Sequence, residues 1–233
     1  MIENIFNKLK SKFYEKNQER KNNWNKEYFY RYSYEKLSKK ENILDLGCGI
    51  GHFLTLGSNS ITGIDASYES LKEAKKISNK LVQGNILKLP FSEASFDGLN
   101  CSHVIEHFNP DDAYQLLLEM NRVLKIGGTL IISTPVLWKG FFGDFTHIKP
   151  YYPEAIMHYY GRQNIQTTKN TINCIYEIEE LKWRYTKIPL DTFFLPRAGI
   201  FNTLSMLLTQ FLSNRGFGKY TRTGYTMVLN KLR

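Results

Sequence analysis

The residues with the clearest chemical promise lie between positions 43 and 51, where Ile43-Leu44-Asp45-Leu46 runs into Gly47-Cys48-Gly49-Ile50-Gly51. An apolar strand ending in closely spaced glycines lets the backbone pass close to a ligand before a helix opens. In the dinucleotide fingerprint the glycines fall at the first, third and sixth positions and seat a pyrophosphate on the helix N-terminus. Here the sixth position is His52 and the spacing is G-x-G-x-G. Asp45 would repel a pyrophosphate, whereas its carboxylate suits a ligand that carries an ammonium group.

Two further strand ends extend the same ligand. Asp65 follows Gly63-Ile64, fourteen residues after Gly51, and one carboxylate can accept from both hydroxyls of a ribose. It can equally cap a helix that begins near Ser67. Gln83-Gly84-Asn85-Ile86 offers an amide carbonyl and backbone groups, the complement of an adenine edge. The ordered trio predicts an adenosine-sized ligand. Gly47, Cys48, Gly49, Gly51, Ala66, Gly84, Ile86 and Cys101 are expected to border it together with Asp45, Asp65 and Asn85. Cys48 has no base beside it in sequence and reads as a small packing residue.

A second group bears on proton transfer. His103 and His107 flank the fourth strand end, as bases or as packing residues. Farther on, Asp144 and His147 stand three apart in an aromatic, proline-punctuated stretch, residues 141–154. An acid and an imidazole so placed can orient each other and take a proton from a hydroxyl. The structural alternative has Asp144 capping a turn and His147 bonding the backbone.

Positioning these groups requires short apolar runs alternating with helices, the pattern of a parallel sheet in an α/β sandwich. Strands are expected at 42–46, 60–65, 80–86, 96–102 and 129–134, with a closing pair at 175–185 and 225–232. Helices are expected at 52–56, 67–78 and 110–124, the last with Gly127-Gly128 as its stop signal. Residues 1–40 read as helical and crowd Trp24, Tyr28, Phe29, Tyr30, Tyr32 and Tyr34 ahead of the first strand, either as core or as a cap over a cation. Residues 199–213 suggest an uncharged amphipathic helix, a pocket wall in preference to a membrane-surface element. All 233 residues are expected to form one domain: an N-terminal extension (1–40), a cofactor half (41–135) and an acceptor half (136–233).

As a set, Asp45 to Gly51, Asp65, and Gln83 to Ile86 with Leu89-Pro90-Phe91 resemble the motifs of class I S-adenosylmethionine-dependent methyltransferases, of the group that includes small-molecule and quinone-ring methylases. Phe96-Asp97, Glu106-His107-Phe108 and Val123-Leu124-Lys125-Ile126-Gly127-Gly128 extend the resemblance over roughly residues 41–135. Asn85 departs from it, standing where the family usually has Asp. The resemblance implies a three-layer α/β sandwich around a seven-stranded, mostly parallel sheet whose last strand is antiparallel. It also implies S-adenosyl-L-methionine as cofactor. Transfer from a sulfonium is an in-line displacement with a neutral leaving group, so alignment and, for a hydroxyl acceptor, proton removal are what the protein supplies. That chemistry requires no metal.

The acceptor half resembles, at Asp144 to Glu154, methylases associated with glycan and natural-product assembly. Expected acceptors are therefore a hydroxyl of a saccharide, a lipid-linked glycan or a small metabolite. The net charge of +9 sits on flanking segments, +6 at residues 1–40, where eleven Lys/Arg face five Glu, and +4 at residues 186–223. That keeps RNA open as a less favoured acceptor, although no RNA-binding module is recognisable. A non-catalytic binder of the nucleoside is the third reading. At 42% hydrophobic and 23% charged the chain has the balance of a folded globular protein. Its three cysteines, Cys48, Cys101 and Cys174, match no disulfide or zinc framework. With no signal-peptide core at the N-terminus and no apolar run of about 18 residues, a cytoplasmic location is expected.

Overall fold

The computed structural model describes residues 26–160, 170–188 and 219–233. Two compact units divide the chain, one of Lys26–Trp183 with Gly224–Arg233 and a smaller one of Met1–Asn25 with Arg184–Thr223. The candidate site belongs to the larger unit. The helix expected over 199–213 and the first 25 residues of the N-terminal extension, with Trp24, lie outside the described residues.

The elements follow the expected alternation: α1 (Lys26–Leu37), β1 (Ile43–Leu46), β2 (Ile61–Asp65), α2 (Tyr68–Ala74), β3 (Leu81–Gln83), β4 (Phe96–Ser102), α3 (Pro110–Val123), β5 (Leu124–Pro135), α4 (Pro153–Tyr159), β6 (Tyr176–Ile188) and β7 (Lys219–Lys231). They build one seven-stranded sheet in the order β3-β2-β1-β4-β5-β7-β6. The pairs among β1 to β5 are parallel. β7 is antiparallel to β5, with Thr129 opposite Asn230 and Pro135 opposite Gly224. The seven-stranded α/β architecture with its reversed last strand is thus present.

Alternation along the central strands sorts side chains between two cores. Leu44, Leu46, Leu130 and Ile132 join Leu116, Leu117 and Met120 of α3 on one side. Ile43, Ile61 and Ile131 join Leu37 and Tyr32 of α1 on the other. The aromatic run therefore contributes to packing: Phe29 and Tyr32 are buried, and Tyr34 meets Phe53 edge-on at 6.3 Å.

Three expected boundaries are corrected. β3 stops at Gln83, three residues before the expected end, because Gly84 turns its N–H to the Asp65 carbonyl and Asn85 caps Leu87 and Lys88. At 52–56 only a single 3-10 turn forms, over Leu54–Leu56. α3 ends at Val123, and Leu124 is already extended. Gly127-Gly128 lies inside β5, where Gly127 has φ +76° and the register against β4 shifts between Phe96 and Gly98. What resembled a helix stop is a bulge near the start of a long strand.

α3 also braces the loop after β3. Glu119 accepts from the Leu89 N–H at 2.6 Å and from Nε and Nη2 of Arg122 at 2.8 Å. Arg122 donates onward to the carbonyls of Phe91 and Leu89. Truncation at Glu119 strands a buried N–H and a half-buried guanidinium. Glu119→Ala is expected to lower stability by about 2–3 kcal/mol, read as a shift of the urea midpoint; an unchanged midpoint would refute the bracing role.

Candidate functional site

β1 and β4 are neighbours although β2 and β3 intervene in sequence, so connections leave the sheet in opposite directions between them. In open α/β sheets the crevice at such a switch point, beyond the carboxyl ends of the strands, is where ligands sit. A cavity of about 770 Å³ opens there. Gly47, Asp65, Ala66, Gly84, Asn85 and Ile86 line it, on the ends of β1, β2 and β3. His103, Val104, His107 and Phe108 close the side after β4.

The glycine turn is held open by conformation and by one carboxylate. Gly47 has φ +66°, and a Cβ placed on it would come within 2.6 Å of Val104 Cγ2. The Gly49 N–H donates to Asp65 Oδ2 at 2.8 Å, and the Ser67 N–H donates to Oδ1 at the same distance. Asp65 thus ties the β1 turn to the end of β2 and belongs to the cavity lining. The cap of α2 is Ser67, whose hydroxyl accepts from the Ser70 N–H, and Asp65 holds the turn before it instead of capping the helix.

Asp45 lies behind the turn, buried and opposite Asn100 of β4. Its Oδ1 accepts from Asn100 Nδ2 at 2.7 Å. Burial pushes the Asp45 carboxyl up to about 7, with the charge of Asp65 adding and the Asn100 bond opposing. Cys48, Gly49, Gly51 and Cys101 also stand outside the cavity lining. Cys48 packs against β2, where a Cβ on Gly63 would meet its Sγ at 2.8 Å, and burial pushes its thiol up to about 12. Cys101 is fully buried, and its thiol is pushed up likewise. Neither thiol is poised as a nucleophile. Asn85 Oδ1 accepts from the Leu87 N–H at 2.8 Å, so one of its two lone-pair sites is spent in the turn.

The histidines converge through the loop after β5. Ile148 and Lys149 donate their N–H groups to the Glu106 carbonyl, which draws residues 144–149 back onto the turn after β4. His107 Nδ1 lies 2.9 Å from Thr146 Oγ1 and 3.2 Å from the Thr146 carbonyl. Thr146 in turn donates its hydroxyl to Asp144 Oδ1 at 2.6 Å. His147 Nδ1 meets the Phe141 carbonyl at 2.7 Å. Asp144 therefore does cap its turn and His147 does bond the backbone. The remaining atoms of that pair, Asp144 Oδ2 and His147 Nε2, stand 3.8 Å apart, and the two imidazole rings lie 5.0 Å apart. Asp144 and His147 are not part of the cavity wall and reach it through His107.

Glu106 was not among the expected site residues. Its side chain is fully buried between His103, whose Nδ1 is 3.2 Å from Oε1, and Thr134, whose hydroxyl donates to Oε2 at 3.0 Å. Burial works to raise this carboxyl, yet the contact and charge of His103 outweigh it and hold the group below the usual carboxylate range. His103 itself adopts φ +58°, a conformation uncommon outside glycine and concentrated at functional positions. The available signal was the spacing His103, Glu106, His107, which places three such groups on one turn.

A family model described as a methyltransferase domain matches residues 44–132. A demethylmenaquinone methyltransferase of Listeria welshimeri is 33% identical over 134 residues, covering 49% of this chain and 56% of that protein. An O-methyltransferase of Aspergillus sclerotiorum is 34% identical over 108 residues, 41% of this chain and 40% of its own length. The chain thus spans about half the length of these relatives. Among solved structures, an S-adenosylmethionine-dependent methyltransferase of Archaeoglobus fulgidus superposes with a TM-score of 0.60 at 20% identity, over 88% of this chain and 92% of that one.

Proposed function

We propose that this chain, which carries a class I S-adenosylmethionine-dependent methyltransferase domain, transfers the methyl group of that cofactor to a hydroxyl of a small molecule. The observation that carries the proposal is the juxtaposition of two half-sites. Asp65 and Asn85 face one side of the cavity with groups suited to ribose and adenine. His107, backed by Thr146 and Asp144 and flanked by His147, faces the other. Methyl transfer needs a nucleophile aligned behind the methyl carbon and a route for the hydroxyl proton. The histidine cluster supplies that route at the cavity rim.

The acceptor class favoured is a hydroxyl on a saccharide, a lipid-linked glycan or a related metabolite. Its support is the resemblance of the Asp144 to Glu154 stretch to methylases of glycan and natural-product assembly, with residues 144–149 held against the turn after β4. Among the described residues no helix is long and apolar enough to cross a membrane, so a lipid-linked acceptor would be met at a surface.

Two measurements test the proposal. Labelled methyl donor is incubated with the protein and fractionated extract, and the label is followed into glycolipid, polysaccharide, small metabolites and RNA. His147→Ala is expected to lower turnover about 10²- to 10⁴-fold, the usual worth of positioned proton transfer. The cofactor dissociation constant should stay within twofold, since His147 is outside the cavity wall. Unchanged turnover in this variant would remove the cluster from the mechanism. Label confined to RNA would replace the small-molecule acceptor.

A further inference from the structure

Glu106, His107 and His147 each bring a ligand-type atom within 4.8 Å of the other two. Their hydrogen bonds determine what those atoms are. His147 Nδ1 faces a carbonyl, which only accepts, so it carries the proton. His107 Nδ1 faces the Thr146 carbonyl and the Thr146 hydroxyl oxygen, and that hydroxyl has already donated to Asp144. This ring too is protonated at Nδ1. With Nδ1 so engaged, each ring has Nε2 left to offer, that of His147 3.8 Å from Asp144 Oδ2, and Glu106 beside them is fully buried. Three ligand-type atoms thus converge at the cavity rim, where a Glu106 oxygen can serve a cation besides its bond to His103 or Thr134.

We propose that Glu106, His107 and His147 bind a divalent first-row transition cation at the rim of the cofactor cavity, where it activates the acceptor hydroxyl. The donor set selects the cation class. Two imidazoles and one carboxylate suit zinc, cobalt, iron or manganese, whereas calcium and magnesium prefer all-oxygen sites. An imidazole whose Nδ1–H is anchored on a carbonyl is the usual support for a metal-bound Nε2. Metal–nitrogen bonds of about 2.0–2.1 Å place tetrahedral donors about 3.4 Å apart. The three groups need close by little more than an ångström, by small rotations of the His107 and His147 side chains. Three protein ligands leave a coordination position open, as catalytic rather than structural sites do.

In that position the acceptor oxygen is bound and its pKa lowered. With both imidazoles on the cation, the histidines promote proton loss through it rather than by taking the proton themselves: the O–H bond breaks and the proton leaves to solvent at the rim, beside the half-exposed Asp144. The oxygen then bonds to the methyl carbon as the carbon–sulfur bond breaks, and that electron pair stays on sulfur, which departs as a neutral thioether. This step rests on the methyltransferase reading above; cation binding does not.

The test is titration of the full chain with cobalt(II) alone, followed by its visible ligand-field absorption, with zinc as competitor. One equivalent is expected to bind, and His107→Ala and His147→Ala should each weaken binding at least about 100-fold. Thr146→Val, which removes the hydroxyl that orients His107, should weaken it about tenfold. Glu106→Gln should also lose the absorption; because its site is buried, the three rim variants carry the test should it fail to fold. No absorption at millimolar cobalt, or absorption unchanged in both histidine variants, overturns the proposal. Cofactor binding is measured on the same samples by calorimetry. Cobalt bound without cofactor would leave the metal site standing and sink the methyltransferase reading, and cofactor bound without cobalt would do the reverse.

Discussion

An Asp65→Ala variant is expected to bind S-adenosylmethionine at least about 100-fold more weakly than the unaltered chain. A carboxylate offers about four lone-pair sites. Two are used by the Gly49 and Ser67 N–H groups, which leaves two for the vicinal hydroxyls of a ribose. Hydrogen bonds to a charged group contribute about 1.5–3 kcal/mol each, so a lost pair amounts to at least about 3 kcal/mol, two decades in affinity. The glycine turn loosens in addition, because its Gly49 anchor is the same carboxylate. Calorimetry on three pairings separates these parts. Asp65→Asn keeps the shape and loses the charge, and should fall between wild type and alanine. A cofactor analogue without the 2′-hydroxyl should bind wild type about tenfold more weakly, one bond's worth, and Asp65→Ala no worse than the parent cofactor does. Equal affinity of wild type and Asp65→Ala would confine Asp65 to holding the Gly49 and Ser67 turns.

The parts of this site that were legible in sequence are those whose partners are near in the chain or fixed by strand order. The glycines at 47, 49 and 51 and the acid at 65 declare a turn and a strand end, and parallel pairing of β1 with β2 must bring them together. The same logic delivers Asn85. The histidine cluster obeys no such rule. His107 and Thr146 are 39 residues apart, and they meet because residues 148 and 149 hydrogen-bond back to the Glu106 carbonyl. A loop return of that kind leaves no periodicity to read. Glu106 was hidden for another reason: its partner Thr134 sits in β5, and an acid within an apolar strand-to-helix connection reads as solvent-facing until the fold buries it. Gly127-Gly128 misled because paired glycines mark helix ends and strand bulges alike, and only the register against β4 distinguishes them. Asp45, Cys48 and Cys101, expected to border the cofactor, have buried side chains outside the cavity lining. Asp45 of β1 and Cys101 of β4 turn into the sheet and Cys48 packs against β2, while Gly47 and Val104 line the cavity.

Asp45→Asn should make the cofactor-free protein more stable above pH 7, by about 2–4 kcal/mol, and leave it nearly unchanged at pH 4. The wild-type carboxyl has its pKa raised to about 7 by burial, against about 3.9 in the unfolded chain. Between those values the folded state holds a proton that the unfolded state has released. Stability therefore falls as pH rises through this window and is level above it. An amide does not ionise and escapes the fall. It also fits the site: its carbonyl can keep the bond from Asn100 Nδ2, and its NH₂ can serve Asn100 Oδ1, a buried oxygen without a partner among the described residues. Urea midpoints at pH 5, 6, 7 and 8 measure the divergence, and parallel pH slopes for the two proteins would refute it. On the proposed function, the ionisable group in this place serves the ligand's ammonium. A cofactor whose ammonium group rests near Asp45 is stabilised by the carboxylate, and its affinity for wild type should climb as pH rises through 7. In Asp45→Asn that climb should vanish, leaving a sturdier fold with a weaker, pH-insensitive grip on the cofactor.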